Sequence, residues 1–202
     1  MLTLYGSARS RAVRTLWMLA ELGIAYRHED YLPRSPETRT PAFLAMNPNG
    51  QVPVIDDDGF VLAESMAINL YLAKKHGSPL YPADPRHEAL AWQWSLWETD
   101  KLDRQLVNYV NHTSALPAEQ RDAAVAEAAW SAVQPALDVL NSAVGKTPWL
   151  AGPDFSVADL NVASALYRGL SMDLGRWPHV QDWLTRCWSR PAAKQARAMR
   201  EA

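Results

Sequence analysis

Residues 52–65 read Val52-Pro53-Val54-Ile55-Asp56-Asp57-Asp58-Gly59-Phe60-Val61-Leu62-Ala63-Glu64-Ser65, two strand-like runs, a turn and a helix start in one stretch. The apolar, largely β-branched run 52–55 and the apolar run 60–62 suit strands. Asp57-Asp58-Gly59 between them is an Asp-Gly hairpin signal, because glycine reaches the positive φ that a tight hairpin turn demands. Directly after the second strand, Glu64-Ser65 opens a helix whose Ile68, Leu70, Tyr71 and Leu72 continue to Gly77.

Towards lower numbers, 2–5 is a short apolar strand ending at Gly6. Ala12, Val13, Leu16, Trp17, Leu19 and Ala20 then recur at helical spacing until Gly23. Residues 24–31 are suited to a second strand, which Pro33 and Pro36 break, and a short helix over 41–46 stops at Asn47-Pro48-Asn49-Gly50. The order β-α-β-α-β-β-α, with an early crossover and a late hairpin, predicts a mixed sheet covered by helices, an α/β thioredoxin-like domain over 1–78. Prolines 79, 82 and 85 make 79–86 a stiff linker. Beyond it strand patterns disappear, and 87–112, 117–144, 157–170 and 180–199 read as helices, so 87–202 is expected to be an all-α helical-bundle domain. Ser156, with Asp159 three residues on, has the spacing of a capping box.

Composition narrows the function. The 202 residues carry 20 Lys and Arg against 22 Asp and Glu, a net charge of -2. That balance gives no electrostatic footprint for nucleic acid, and no basic cluster marks an anionic membrane surface, so a small-molecule ligand is expected. Residues 1–6 lack a basic n-region and a long apolar stretch, and nothing later approaches the roughly 18 apolar residues of a membrane helix; a cytoplasmic location is the expectation. A single cysteine, Cys187, forms no intrachain disulfide and no CxxC pair. The five histidines show no HExxH or HxxxH spacing, and no metal is expected.

Three patterns, in this order, resemble the glutathione transferase family over essentially the whole chain. They are Leu4-Tyr5-Gly6-Ser7-Ala8-Arg9-Ser10 running into Arg14-Thr15-Leu16, then Asn47-Pro48-Asn49-Gly50-Gln51-Val52-Pro53-Val54-Ile55, then Leu62-Ala63-Glu64-Ser65-Met66-Ala67-Ile68. The resemblance implies a glutathione site in the first domain, an acceptor site for a hydrophobic electrophile shared with the helical domain, a homodimer and a role in detoxification.

Such an enzyme turns the glutathione thiol into a thiolate, the attacking species. A thiol with a pKa of about 8.5 is only about 3% ionised at pH 7; lowering it by two units, worth about 2.7 kcal/mol, ionises roughly three quarters. Ser10, four residues before Arg14, matches the activating serine of theta-like members; Ser7 is next, and Tyr5 resembles the tyrosine of other classes at a shorter distance from Arg14. A serine before a helix is also an N-cap, and Tyr5 can pack in its strand. Val52-Pro53 matches the family's cis-proline, which would present the Val52 backbone to glutathione like an added strand; a trans proline on an edge strand is the alternative. Glu64 and Ser65 would receive the γ-glutamyl ammonium and carboxylate, or simply cap their helix.

By family position Gln51 and Arg39 are the candidates for the glycyl carboxylate, with Gln51 the better fit; Arg34 and Arg39 also read as solvated surface charges. Asp100 reads as a solvated helix-face acid, or as one that reaches a partner's ligand. Trp92, Trp94, Trp97 and Tyr109 suit an apolar acceptor site, a core or an interface. A CxxC redox site would fall at Ser7-Ala8-Arg9-Ser10, where there is no cysteine, so a protein dithiol mechanism is excluded. Glutathione-dependent isomerase, dehalogenase or disulfide reductase activity stays open, as does a non-catalytic binding module.

Overall fold

Leu2 and Leu4 are buried and alternate with half-buried Thr3 and Tyr5, the period of a strand with its better-covered face inward. A computed structural model describes residues 1–202, the side chain of Ser171 excepted. It divides the chain into two units, Met1–Tyr81 with Ser189–Ala202, and Pro82–Trp188.

The first unit runs β1 (Leu2–Tyr5), α1 (Ala12–Leu22), β2 (Arg27–Glu29), a 3-10 turn (Pro36–Arg39), α2 (Pro41–Met46), β3 (Val54–Asp57), β4 (Phe60–Ala63) and α3 (Ser65–Lys75). The sheet order is β2-β1-β3-β4, with β1 parallel to β2 and antiparallel to β3. This is the mixed sheet that an early crossover and a late hairpin require. Asp57 pairs with Phe60, and Asp58 and Gly59 between them both have positive φ, 53° and 89°, a two-residue hairpin turn. Helix α1 stops at Gly23 in the left-handed conformation. Leu4, Leu16, Trp17, Met18, Leu19, Ile55, Ile68 and Leu72 are almost wholly buried and make the core.

The second unit opens with α4 (Pro85–Glu98), whose N-cap Asp84 accepts from the Arg86 and His87 N–H groups. A π turn (Thr99–Asp103), α5 (Arg104–Val110) and another π turn (Asn111–Ala115) continue it, and α6 (Ala123–Val144), α7 (Val157–Ala165) and α8 (Pro178–Ser189) follow. Ser156 and Asp159 form the capping box that their spacing predicts at the start of α7. Among the described residues no helix is long and apolar enough to cross a membrane.

Three local readings differ from the structure. The pattern over 24–31 forms a strand only at Arg27–Glu29, and β3 begins at Val54 rather than at Val52. The continuous helix expected over 180–199 is two, because Arg190 is extended and Pro191 begins α9 (Pro191–Glu201) as its first residue. The helical domain expected over 87–202 therefore loses its last segment. Helix α9 packs on α1 in the first unit, with Ala193 and Ala196 fully buried and Arg190 bonding both carboxylate oxygens of Glu21 at 2.6 and 2.7 Å.

Candidate functional site

Between β1 and α1 the chain makes a tight loop whose polar groups satisfy one another. The Ser7 N–H donates to the Tyr31 carbonyl at 2.8 Å, and the Ser7 carbonyl accepts from both the N–H (2.9 Å) and the hydroxyl (2.6 Å) of Ser10. Ser10 Oγ in turn accepts from the Ala12 N–H at 3.1 Å, so Ser10 caps the first turn of α1 while remaining partly exposed. Ser7 is 3% exposed, and its Oγ accepts from the Arg9 N–H at 3.3 Å. Both hydroxyls are thus engaged with the backbone of their own loop. Ser10 is the one partly open to solvent, and its hydroxyl donates to the Ser7 carbonyl.

Gly6 is where this loop meets the proline-bearing segment. A Cβ there would lie 2.9 Å from the Cβ of Ala12 and 3.0 Å from that of Val52, and the φ of 140° is one that glycine takes readily. The Val52-Pro53 bond is cis, and the Val52 N–H and C=O take no part in the sheet ladders or in the backbone hydrogen bonds of the turns. Gly50, with φ of 59°, closes the preceding turn by donating to the Asn47 carbonyl, and the Asn47 amide donates to the Gln51 carbonyl at 2.9 Å. The space that a side chain would need at Gly50 is filled by the Arg39 guanidinium, which brings Arg39 beside the exposed Gln51.

The third segment is joined to the first by a buried side chain. Arg14 of α1, 5% exposed, donates from Nη1 to Ser65 Oγ at 3.4 Å. Ser65 begins α3, and the N-cap Glu64 makes no side-chain capping bond. Glu64 has φ 71° and ψ 109°, which a residue with a Cβ rarely adopts, and its side chain is exposed. The first turn of α3 thus has no side-chain cap from Glu64, carries the positive end of the helix dipole, and begins with a buried Ser65 whose hydroxyl accepts from Arg14.

Other candidates lie elsewhere. Tyr5 packs its ring against Tyr31 and Phe43, at 5.7 and 6.2 Å between centroids. Burial first, and the charge of Asp56 next, raise its hydroxyl above the ordinary tyrosine range, which suits a packed ring better than a proton donor. Asp100 is exposed in the second unit and pairs with Lys101 at 2.7 Å. Trp94 and Trp97 stack edge to face, and Trp94 is 7% exposed. Arg34 is exposed with φ of 64°. In the sequence Arg14 serves only as a marker of spacing; its bond to Ser65 is not legible there beyond the sign of a basic residue within an otherwise buried helix stretch.

The family description "Glutathione S-transferase, N-terminal domain" matches residues 1–74, and "Glutathione S-transferase, C-terminal domain" matches 107–191. The chain belongs to the glutathione S-transferase family. Among the relatives of this family member, Glutathione S-transferase GstB of Escherichia coli is 31% identical over 202 residues, covering 96% of this chain and 97% of its own. Disulfide-bond oxidoreductase YfcG of Escherichia coli is 36% identical over 166 residues, 77% of this chain and 75% of its own. The crystal structure of the theta class glutathione S-transferase from Xanthomonas axonopodis pv. citri, with glutathione bound, superposes with a TM-score of 0.90 at 33% identity, covering 96% of each chain.

Proposed function

We propose that this family member is a glutathione transferase whose loop 7–10, segment 51–53 and Glu64-Ser65 hold one glutathione and activate its thiol for attack on a hydrophobic electrophile. The observation that carries this reading is the start of α3, where uncapped amides flank a Ser65 hydroxyl supplied with a hydrogen bond by Arg14. Because Arg14 donates to Ser65 Oγ, the serine's own proton is left for an acceptor, and the γ-glutamyl carboxylate is one; Glu64 faces the ammonium group beside it. The Val52 backbone pairs with the cysteinyl part as an added strand would, and Gln51 with Arg39 takes the glycyl carboxylate.

Ser10 is the first choice for the thiol's hydrogen-bond donor, since its hydroxyl is partly exposed and needs only to rotate away from the Ser7 carbonyl. Ser7 is the alternative, and Tyr5 falls behind both. The same reading makes the protein a cytoplasmic homodimer active in detoxification.

Calorimetric titration with glutathione, followed by conjugation rates over aryl halides, epoxides and unsaturated carbonyls in wild type, Ser10→Ala, Ser7→Ala and Tyr5→Phe, tests this. Binding with turnover that Ser10→Ala lowers about a hundredfold is expected. No binding at millimolar glutathione would end the reading. Glutathione-dependent disulfide reduction is a second reading, favoured by the similarity to the disulfide-bond oxidoreductase; turnover of a mixed disulfide, with every conjugation reaction silent, selects it.

A further inference from the structure

The loop that carries Ser7 and Ser10 is gripped by a residue nearly two hundred positions away. Arg200, in the last turn of α9, donates from Nη1 to the carbonyl of Ala8 at 3.1 Å and to that of Ser10 at 3.2 Å. Helix α9 is itself fixed at its other end, where Arg190 makes its bidentate pair with Glu21, and Glu21 also accepts from Trp17 Nε1 at 3.0 Å. Ten residues of helix separate Arg190 from Arg200, about 15 Å, close to the span from Glu21 back to Ser10 along α1. The two helices therefore run antiparallel, and α9 clamps both ends of α1 through one charged group at each.

The lower clamp acts on peptide planes. In a trans peptide the C=O and the following N–H point in opposite directions, so holding the Ala8 carbonyl on Arg200 turns the Arg9 N–H the other way, onto Ser7 Oγ. Holding the Ser10 carbonyl likewise fixes the plane entering α1. The Ala8 carbonyl dipole is thereby kept on the side away from Ser7 Oγ, where a thiolate would be repelled by it, and the Ser10 carbonyl, which also accepts from the Val13 N–H at 3.3 Å, is tied to the first turn of α1. The guanidinium adds a positive charge behind the loop, of the sign that favours an anion.

We infer that Arg200 is a positioning residue for thiol activation, working through the backbone of Ala8 and Ser10, a role that rests on the glutathione reading above. Its removal raises the pKa of the bound thiol and slows the chemical step, and leaves the tripeptide's carboxylate contacts in place.

Arg200→Met and Arg200→Lys in the full chain test it with two readouts. Without ligand, hydrogen exchange at the Arg9, Ser10, Ala12 and Val13 amides should quicken in Arg200→Met while the amides of the β3-β4 ladder keep their protection. With glutathione, kcat should fall about tenfold with little change in the dissociation constant, and the acid limb of the pH profile should move up by about half a pH unit, Lys restoring part of both. Wild-type kcat and pH profile in Arg200→Met overturn the inference. Exchange that quickens equally across the whole first unit also overturns it, in favour of general packing. Failure of the wild type to bind glutathione sinks the functional reading, and unchanged loop exchange in Arg200→Met independently sinks this one.

Discussion

Arg14 Nη1 reaches Ser65 Oγ from a helix fifty-one residues earlier, and the bond is buried. It gives Ser65 a fixed orientation that its position at a helix start alone does not. Arg14→Met keeps an apolar stem in the core and removes the donor to Ser65. Glutathione affinity should then fall by about fivefold, the equivalent of one hydrogen bond worth about 1 kcal/mol. An unchanged dissociation constant by calorimetry would mean that Ser65 does not depend on Arg14.

Glu64 holds φ 71° and ψ 109° at the junction of β4 and α3. A backbone of this kind costs of order 1–3 kcal/mol for a residue with a Cβ, and glycine relieves it while giving back about 0.5–1 kcal/mol in unfolded-chain entropy. Glu64→Gly should therefore raise unfolding stability by about 1 kcal/mol and weaken glutathione binding, because the carboxylate is gone. Urea unfolding and titration on the same sample separate the two effects. A variant both less stable and unimpaired in binding would refute the assignment of strain to function.

Gly6 has no room for a side chain between Ala12 and Val52, and its own N–H donates to the Glu29 carbonyl at 2.8 Å. Neither neighbouring Cβ is the far end of a flexible chain, so the backbone of the loop or of the cis-proline segment has to move. Gly6→Ala should cost about 2–3 kcal/mol. In urea, where m is about 1–3 kcal/mol/M, that lowers the unfolding midpoint by roughly 1–2 M. A midpoint within 0.2 M of wild type would show that the close approach is relaxed in solution.

What was legible in the sequence was local in its cause. The Asp58-Gly59 turn, the Gly23 stop, α2 over 41–46 and the Ser156 capping box each depend on residues close to one another in sequence, and the structure places each there. The three ordered motifs named candidate segments, but not how they meet: Gly6 against Val52 and Arg14 against Ser65 are contacts between residues far apart in sequence, and of these only the basic Arg14 in a buried helix stretch gave any local sign. Helix α9 is the clearest failure. Its apolar pattern joins smoothly to that of α8, and only Pro191 at a helix start marked the break. Its return to the first unit depends on Arg190 meeting Glu21 and on Arg200 meeting the Ala8 and Ser10 carbonyls, partners more than 160 residues apart that no local pattern joins. The π turns in the helix after Pro85 were invisible for a related reason, since a one-residue widening leaves the apolar period almost unchanged.

In the second unit, Asp159 is almost wholly enclosed. Its Oδ1 accepts from the Leu150 N–H and from Trp183 Nε1, both at 2.9 Å, and its Oδ2 accepts from the Ser156 N–H at 3.0 Å and the Ser156 hydroxyl at 3.2 Å. Burial outweighs these donors and raises its pKa from 3.8 to about 6. A carboxyl whose folded pKa lies above its unfolded one stabilises the fold fully below the unfolded value, and that contribution is lost as pH rises through the folded value. Here the window runs from about 4 to about 6, and the loss across it is about 3 kcal/mol. Asp159→Asn cannot titrate and turns an amide NH2 towards two donors, so it should be less stable at every pH, with a deficit larger at pH 4 than at pH 7. Unfolding free energies of both proteins at those two values decide the matter: a deficit that grows towards pH 7 would mean that the four donors hold the carboxylate more strongly than its burial penalises it.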